Sequence, residues 1–119
     1  MPLDHHGLVD SDLFRSQAFV AGDWRDAEDG RTMTINDPAT GAAIGTVPLM
    51  GAAETKAAID AADAAWPAWR ARTALDRGAV LLEWRRLILA AQDDLARIMT
   101  LEMGKPLAEA KGEIAYGAS

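Results

Sequence analysis

Cysteine is absent from this chain of 119 residues. Without it, the residues present form no disulfide, no thiolate-ligated zinc site and no thiol nucleophile. An excess of basic residues is also lacking, because 12 Lys and Arg stand against 18 Asp and Glu and give a formal net charge of −6. A general nucleic-acid surface depends on cations that neutralise phosphates. We therefore expect no nucleic-acid partner.

Long apolar runs are missing too, and none approaches the roughly 20 residues that span a bilayer. The opening stretch MPLDHHGLVDSD has no basic segment followed by an apolar one, the mark of a secretory signal. We expect no membrane partner and a cytoplasmic location, which the lack of cysteine also fits. Aromatic residues make up only 6% of the chain and four of them are Trp, so a core would depend on Leu, Ile and the tryptophans.

Three regions differ in their residue pattern. Residues 1–13 are polar and without a period, which predicts a flexible leader. Residues 14–51 hold short apolar or β-branched pieces between turn signals, which predicts a β-meander. Residues 52–119 have a helical period and predict three mainly amphipathic α-helices. Because a small ribbon is marginally stable alone, we expect the meander to pack on other elements.

The helical region carries clear start and stop signals. Pro67 predicts an end or a kink, because it lacks an N–H and restricts the residue before it. Thr73 predicts the N-cap of a long helix, and Gly104 predicts its left-handed end. Pro106 then suits the first turn of a third helix. One face of the long helix has an apolar stripe, formed by Leu81, Trp84, Ile88, Ala91, Leu95 and Ile98.

Two apolar features have more than one interpretation. Trp66 and Trp69 share a helix face and are typical of core packing, although a ligand platform is the alternative. Leu82 and Leu89 lie off the main stripe of the long helix and indicate a second contact surface. The chain has little bulk to cover both sides, which predicts that it belongs to something larger.

No complete active site emerges from the residue types. The sequence has neither a Gly-x-Gly-x-x-Gly nor a Walker-type phosphate loop. His5 and His6 are adjacent, so a solvated pair is favoured over a metal site. Glu109 and Glu113 share a helix face, where acid–base chemistry is the alternative to a solvated helix start. Lys105 stands at a helix start, where a cation opposes the dipole, so it makes a specific contact or projects into water.

Several segments resemble one known family. TLEMGKPLAEAKGEIAYGAS is similar to the aldehyde dehydrogenase superfamily, and most to its NAD(P)-dependent succinate-semialdehyde branch. FVAGDWRDA resembles the family's first hairpin, and INDPATGAAIGTVP the segment after it. AAWPAWRARTALDRGAVLLEWRRLI resembles the lead into its first long helices. The similarity runs from Leu13 to Ser119 in the family's order, and glutarate-semialdehyde dehydrogenases share much of the pattern.

The resemblance implies an α/β parent fold in which this chain is the first, incomplete part of the cofactor-binding domain. Family members are several times longer, and their catalytic Cys, general-base Glu, oxyanion-binding Asn and nicotinamide loops come later. No catalytic, cofactor-binding or metal residue is therefore assigned here. NAD or NADP would serve the parent, and none is expected to bind this chain alone.

The resemblance also implies a small-molecule aldehyde substrate and a homo-oligomeric parent, either a dimer or a tetramer. In such enzymes a Cys thiolate attacks the carbonyl, hydride passes to the nicotinamide, and water hydrolyses the thioester. The alternative, from another class, is a free-standing non-catalytic helical domain that binds a partner.

Overall fold

The computed structural model describes residues 6–119. A short 3₁₀ helix at Ser11–Leu13 precedes four strands and four α-helices. The strands are β1 (Ala18–Val20), β2 (Asp23–Arg25), β3 (Thr32–Asn36) and β4 (Ala43–Pro48). The helices are α1 (Ala52–Arg70), α2 (Ala74–Ala90), α3 (Gln92–Met103) and α4 (Leu107–Gly117). The predicted order of a small β region followed by helices is confirmed.

The β region, predicted as a β-meander or hairpin region over residues 14–51, consists of two hairpins. β1 pairs antiparallel with β2, and β3 pairs antiparallel with β4. The first hairpin turns through Ala21 and Gly22, whose φ angles of 55° and 89° are characteristic of a type I′ turn. The strands β2 and β3 do not pair with each other. The segment between them turns at Gly30, which donates its N–H to the Ala27 carbonyl and has a φ of 71°.

The long helix predicted after Thr73 is divided at Ala91, so the helical region has four helices rather than three. Ala91 has φ −99° and ψ 12°, outside the helical region. The division has a physical cause in the next residues. Asp93 and Asp94 stand in the first turn of α3, where carboxylates favour a new helix start, and the Gln92 side chain donates to the Lys111 carbonyl at 2.9 Å.

Pro67 does not end its helix, as one of the two predicted outcomes had it, because α1 continues to Arg70; a kink at Pro67 stays a prediction. Pro67 lies in the last turn, where it removes a single intrahelical donor at an exposed position. Its own carbonyl still accepts the Ala71 N–H at 3.2 Å. The carbonyl of Asp63, which Pro67 leaves without an intrahelical donor, belongs to an exposed residue that is open to solvent, so the final turn is retained.

The chain is flat and buries little. Its principal extents are 48 × 37 × 21 Å, and its radius of gyration is 16.7 Å, against about 13.5 Å for a compact domain of this length. The accessible area is 8579 Å², whereas a compact monomer of this mass exposes about 6,200 Å². Among residues 6–119 no large side chain is fully buried, and the tightest packing is at Ala96 and Ala110, where α3 meets α4.

The leader predicted over residues 1–13 lies partly outside the described residues, which begin at His6. From there on, the segment makes specific contacts with α3 and β4. The backbone N–H groups of Val9 and Asp10 donate to the Asp94 carboxylate. For residues 1–5 the flexible leader stays a prediction.

Candidate functional site

The Gly104-Lys105-Pro106 junction joins α3 to α4 and holds the candidate cation of the sequence. Gly104 has a φ of 75° and donates its N–H to the Thr100 carbonyl at 2.8 Å, so the predicted left-handed cap is confirmed. Pro106 has an extended ψ of 136° and stands directly before α4, where its carbonyl accepts the Ala110 N–H. This backbone places the Lys105 side chain beside the first turns of α4.

Lys105 makes an ion pair with Glu113, two turns into α4. The Lys105 side chain is 23% exposed and that of Glu113 48%, so the pair is partly screened by water and contributes about 1 kcal/mol or less. The carboxylate offsets the unfavourable position of a cation at a helix N-terminus. Glu109 lies exposed in the same shallow groove, together with Tyr116. The arrangement explains Lys105 by the helix junction.

Replacing Gly104 by Ala tests the geometry of this junction. A Cβ there would lie 3.1 Å from Pro38 Cγ, and the residue would keep a positive φ. We expect a loss of about 1–2 kcal/mol, the cost of a left-handed conformation for an L-residue. The urea midpoint of the far-UV circular dichroism signal measures it.

Gly112 supplies the matched control. It lies inside α4 with nothing within 4 Å of an added Cβ, so Gly112→Ala is expected to raise stability by about 0.5–1 kcal/mol. Opposite signs for the two variants support the junction as described. Equal or reversed signs contradict it.

Asp94 is the buried charged residue among those described, at 8% exposure. Its Oδ1 accepts the Val9 N–H at 3.0 Å, and its Oδ2 accepts the Asp10 N–H at 2.8 Å. These two backbone donors, Val9 first, lower the pKa of Asp94, with a smaller contribution from the charge of Arg97. A carboxylate satisfied in this way is held as an anion and anchors chain rather than moving protons.

The histidine pair lies across the boundary of the structure, since His5 is outside the described residues. The His6 ring donates from Nε2 to the Ile44 carbonyl at 3.0 Å and packs against the Phe14 ring. Over residues 6–119, no group of three or more potential metal ligands comes together. The same residues include no helix that is long and apolar enough to cross a membrane.

The tryptophans and the α2 stripe are more exposed than the pattern predicts. Trp66 is 52% exposed, where core packing is the favoured interpretation, and only Trp69 is half-buried. Helix α2 presents apolar side chains over most of its circumference, with Leu81 53%, Leu82 67% and Trp84 62% exposed. Large apolar side chains exposed side by side mark a surface that packs against other protein. What this surface can do is pack against further protein.

A comparison with family models decides the class of protein. Residues 24–119 match the model described as the aldehyde dehydrogenase family. This match begins at Trp24, within β2, and continues past the end of α4, so it includes the junction at Lys105. The chain belongs to the aldehyde dehydrogenase family. The resemblance read from the sequence is therefore confirmed.

Individual relatives agree with the family. The chain is 62% identical over 112 residues to glutarate-semialdehyde dehydrogenase of Pseudomonas putida. It is 59% identical over 112 residues to the NADP(+) succinate-semialdehyde dehydrogenase of Escherichia coli. The crystal structure of an E. coli NADP-dependent enzyme superposes with a TM-score of 0.92 at 59% identity. Each comparison covers 94% of this chain and 23% of the other, so the chain spans less than a quarter of these relatives.

The family assignment changes how the candidate residues are understood. None of the described residues is assigned a catalytic, cofactor or metal role, and that remains a prediction. Sequence reasoning missed Asp94, whose partners are backbone groups 84 and 85 residues away. The one local signal was a pair of adjacent acids, Asp93-Asp94, in the middle of an apolar stripe.

Proposed function

We propose that this chain is the N-terminal part of an NAD(P)-dependent aldehyde dehydrogenase that oxidises succinate semialdehyde, or a close relative such as glutarate semialdehyde, to the carboxylate. The observation that carries the proposal is its identity of 62% and 59% to two semialdehyde dehydrogenases over 94% of the chain. Both relatives are named for short aldehydes with a carboxylate at the far end. The shared chemistry is therefore the oxidation of a carboxylate-bearing aldehyde.

The role of the chain in such an enzyme is to supply packing surface. The sequence contains no cysteine, so a thiol nucleophile has to come from another part of the enzyme. The strand that leads into a helix, β4, is joined to α1 through a single loop glycine, Gly51, and the sequence has no Gly-x-Gly-x-x-Gly, the motif that binds a dinucleotide pyrophosphate. We therefore assign no step of cofactor chemistry to them. The exposed side chains of α2 support a role in holding neighbouring elements of the parent.

Further properties of the parent belong to the same proposal. It would use NAD or NADP, act in the cytoplasm and assemble as a dimer or a tetramer. One relative is named for NADP(+), which supports a nicotinamide cofactor for the parent without choosing between the two. Size-exclusion chromatography with light scattering on the whole enzyme would measure the assembly.

A chimera tests the proposal directly. The chain replaces the matching segment of the E. coli succinate-semialdehyde dehydrogenase, to which it is 59% identical. We expect the chimera to reduce NADP in the presence of succinate semialdehyde, because most packing contacts should be retained at this identity. Residues 1–119 alone are expected to show no turnover, because they include no cysteine. Absorbance of the reduced nicotinamide measures both.

Two results would count against the proposal. Turnover by the purified chain 1–119 would contradict the proposal that the catalytic thiol comes from another part of the enzyme. A soluble, folded chimera without activity would contradict the placement of this segment in a dehydrogenase. The substrate is tested on the protein read from the whole open reading frame that contains these residues. A preference for both semialdehydes over acetaldehyde by more than about tenfold is expected, because a site built to pair the carboxylate rejects an aldehyde without one.

The non-catalytic interaction domain remains the second candidate, because the same exposed α2 surface would serve a separate partner. The two candidates differ in the DNA that follows the codon for Ser119. An open frame encoding a dinucleotide-binding half and a cysteine supports the dehydrogenase. A stop codon followed by unrelated sequence supports the interaction domain.

A further inference from the structure

The segment from His6 to Phe14, called the strap below, crosses the start of α3 and reaches β4. At α3, the Val9 and Asp10 N–H groups donate to the two oxygens of Asp94 at 3.0 and 2.8 Å. At β4, the His6 ring donates to the Ile44 carbonyl at 3.0 Å. The strap therefore bridges a helix and a hairpin that lie far apart in sequence.

Two glycines fit closely against the ends of this strap. A Cβ on Gly45, in β4, would lie 3.0 Å from the Phe14 ring. A Cβ on Gly7, in the strap, would lie 3.2 Å from Arg97 Nη1 on α3. Both distances are shorter than ordinary van der Waals contact. At Gly45 an added Cβ would press on the Phe14 ring, whereas at Gly7 the Arg97 side chain can move and the positive φ of 69° is the stronger reason for glycine.

The attachment at α3 combines backbone hydrogen bonds with partly buried apolar side chains. Val9 is 96% exposed, although its N–H is bonded to Asp94, which is 8% exposed. Leu8 and Leu13 are half-buried, and Leu13 lines the same cavity as Leu87 and Asp94. The Asp94 carboxylate therefore holds the strap at the point where the Val9 side chain is not buried. Hydrogen bonds to an ionised acceptor are about twice as strong as neutral ones.

We propose that Asp94 is a latch that holds the strap against α3 and, through His6, couples the β3–β4 hairpin to the start of that helix. The simpler alternative is that Asp94 acts only through its favourable interaction with the helix dipole, as an acid in the first turn of α3. Asp93 separates the two accounts. It occupies the same turn, is exposed and pairs with Lys111 at 2.8 Å, whereas the hydrogen bonds from the Val9 and Asp10 amides go to Asp94.

Amide hydrogen exchange on the full chain tests the latch. We expect Asp94→Ala to accelerate exchange at the Val9 and Asp10 amides by roughly tenfold or more, as loss of hydrogen bonds to a charged group implies. Asp94→Asn keeps the shape and one acceptor oxygen, so it should fall between Asp94→Ala and the unchanged chain. Asp93→Asn is the matched control and should leave both amides as they are. The Ala110 and Ala118 amides, which belong to buried residues and donate to the Pro106 and Ile114 carbonyls, are the reference amides that report any global loss of structure.

A spin label gives a second measurement. Because the chain has no cysteine, Val9→Cys provides one labelling site on a side chain that already points to water. The nitroxide spectrum should sharpen in the Asp94→Asn background and stay broad with Asp93→Asn. Equal effects of the two substitutions, or no effect of Asp94→Ala on Val9 and Asp10, would overturn the latch. If Asp94→Ala also accelerates exchange at the reference amides, the substitution has loosened the whole chain. Exchange at the Val9 and Asp10 amides of Asp94→Asn then tests the latch, and an unchanged rate there would overturn it.

Discussion

Leu81→Asp and Trp84→Asp are expected to have little effect on the stability of the isolated chain and to abolish the activity of the dehydrogenase chimera. In the isolated chain these residues are 53% and 62% exposed, so an aspartate stays solvated. The free energy of unfolding in urea should therefore change by about 0.5 kcal/mol or less. In the chimera the same positions would face added protein. An unpaired charge buried there costs about 3–5 kcal/mol, enough to remove soluble, active enzyme.

Binding of the apolar dye ANS supplies the direct readout of this surface. The unchanged chain should bind the dye and melt with poor cooperativity, and both aspartate variants should bind less of it. Glu83→Asp is the matched control, because it also places an aspartate on α2 but at a position already charged and paired with Arg86. It should leave dye binding and chimera activity unchanged. A sharp two-state melt without a dye signal, or an active Trp84→Asp chimera, would contradict an uncovered packing surface.

The sequence predicts best those features that local chemistry decides. Gly104 needs a positive φ to end α3, and the Thr73 hydroxyl accepts the Asp76 N–H at 3.1 Å, so both helix boundaries are visible in neighbouring residues. The division at Ala91 is different. It lies within one apolar stripe, and contacts distant in sequence favour it, from Gln92 to Lys111 and from Asp94 to the strap. The hydrophobic periodicity of the sequence carries no information about these distant partners.

Periodicity also predicts which face of a helix is apolar, but not where its cover lies. The stripe through Leu81 and Trp84 is correct as a pattern, yet both side chains are more than half exposed in the described structure. The candidate site follows the same logic. Lys105 is explained by an ion pair with Glu113, eight residues further on, and this partner is within reach of sequence reasoning. Asp94 was not, because its partners are backbone amides that carry no side-chain signal.

Ala96→Leu is expected to be the most damaging single change to the chain by itself. Ala96 on α3 and Ala110 on α4 are both 0% exposed, and these two helices form the closest helix pair of the structure. Small side chains at a crossing let the backbones approach, so a leucine has no free volume to enter. We expect a loss of about 1–3 kcal/mol, or more if the helices separate.

Ala108→Leu provides the control for this overpacking, because Ala108 is an exposed alanine in the same α4. It adds the same atoms on the solvent side and should change the free energy of unfolding in urea by about 0.5 kcal/mol or less. If the helices separate in Ala96→Leu, the Gln92 bond to the Lys111 carbonyl should be lost as well, with faster exchange of the amides in α4. Equal midpoints for Ala96→Leu and Ala108→Leu would show that α3 and α4 are not closely packed. The difference between the two variants measures how far this one tight contact stabilises a chain whose other helices leave so much apolar surface exposed.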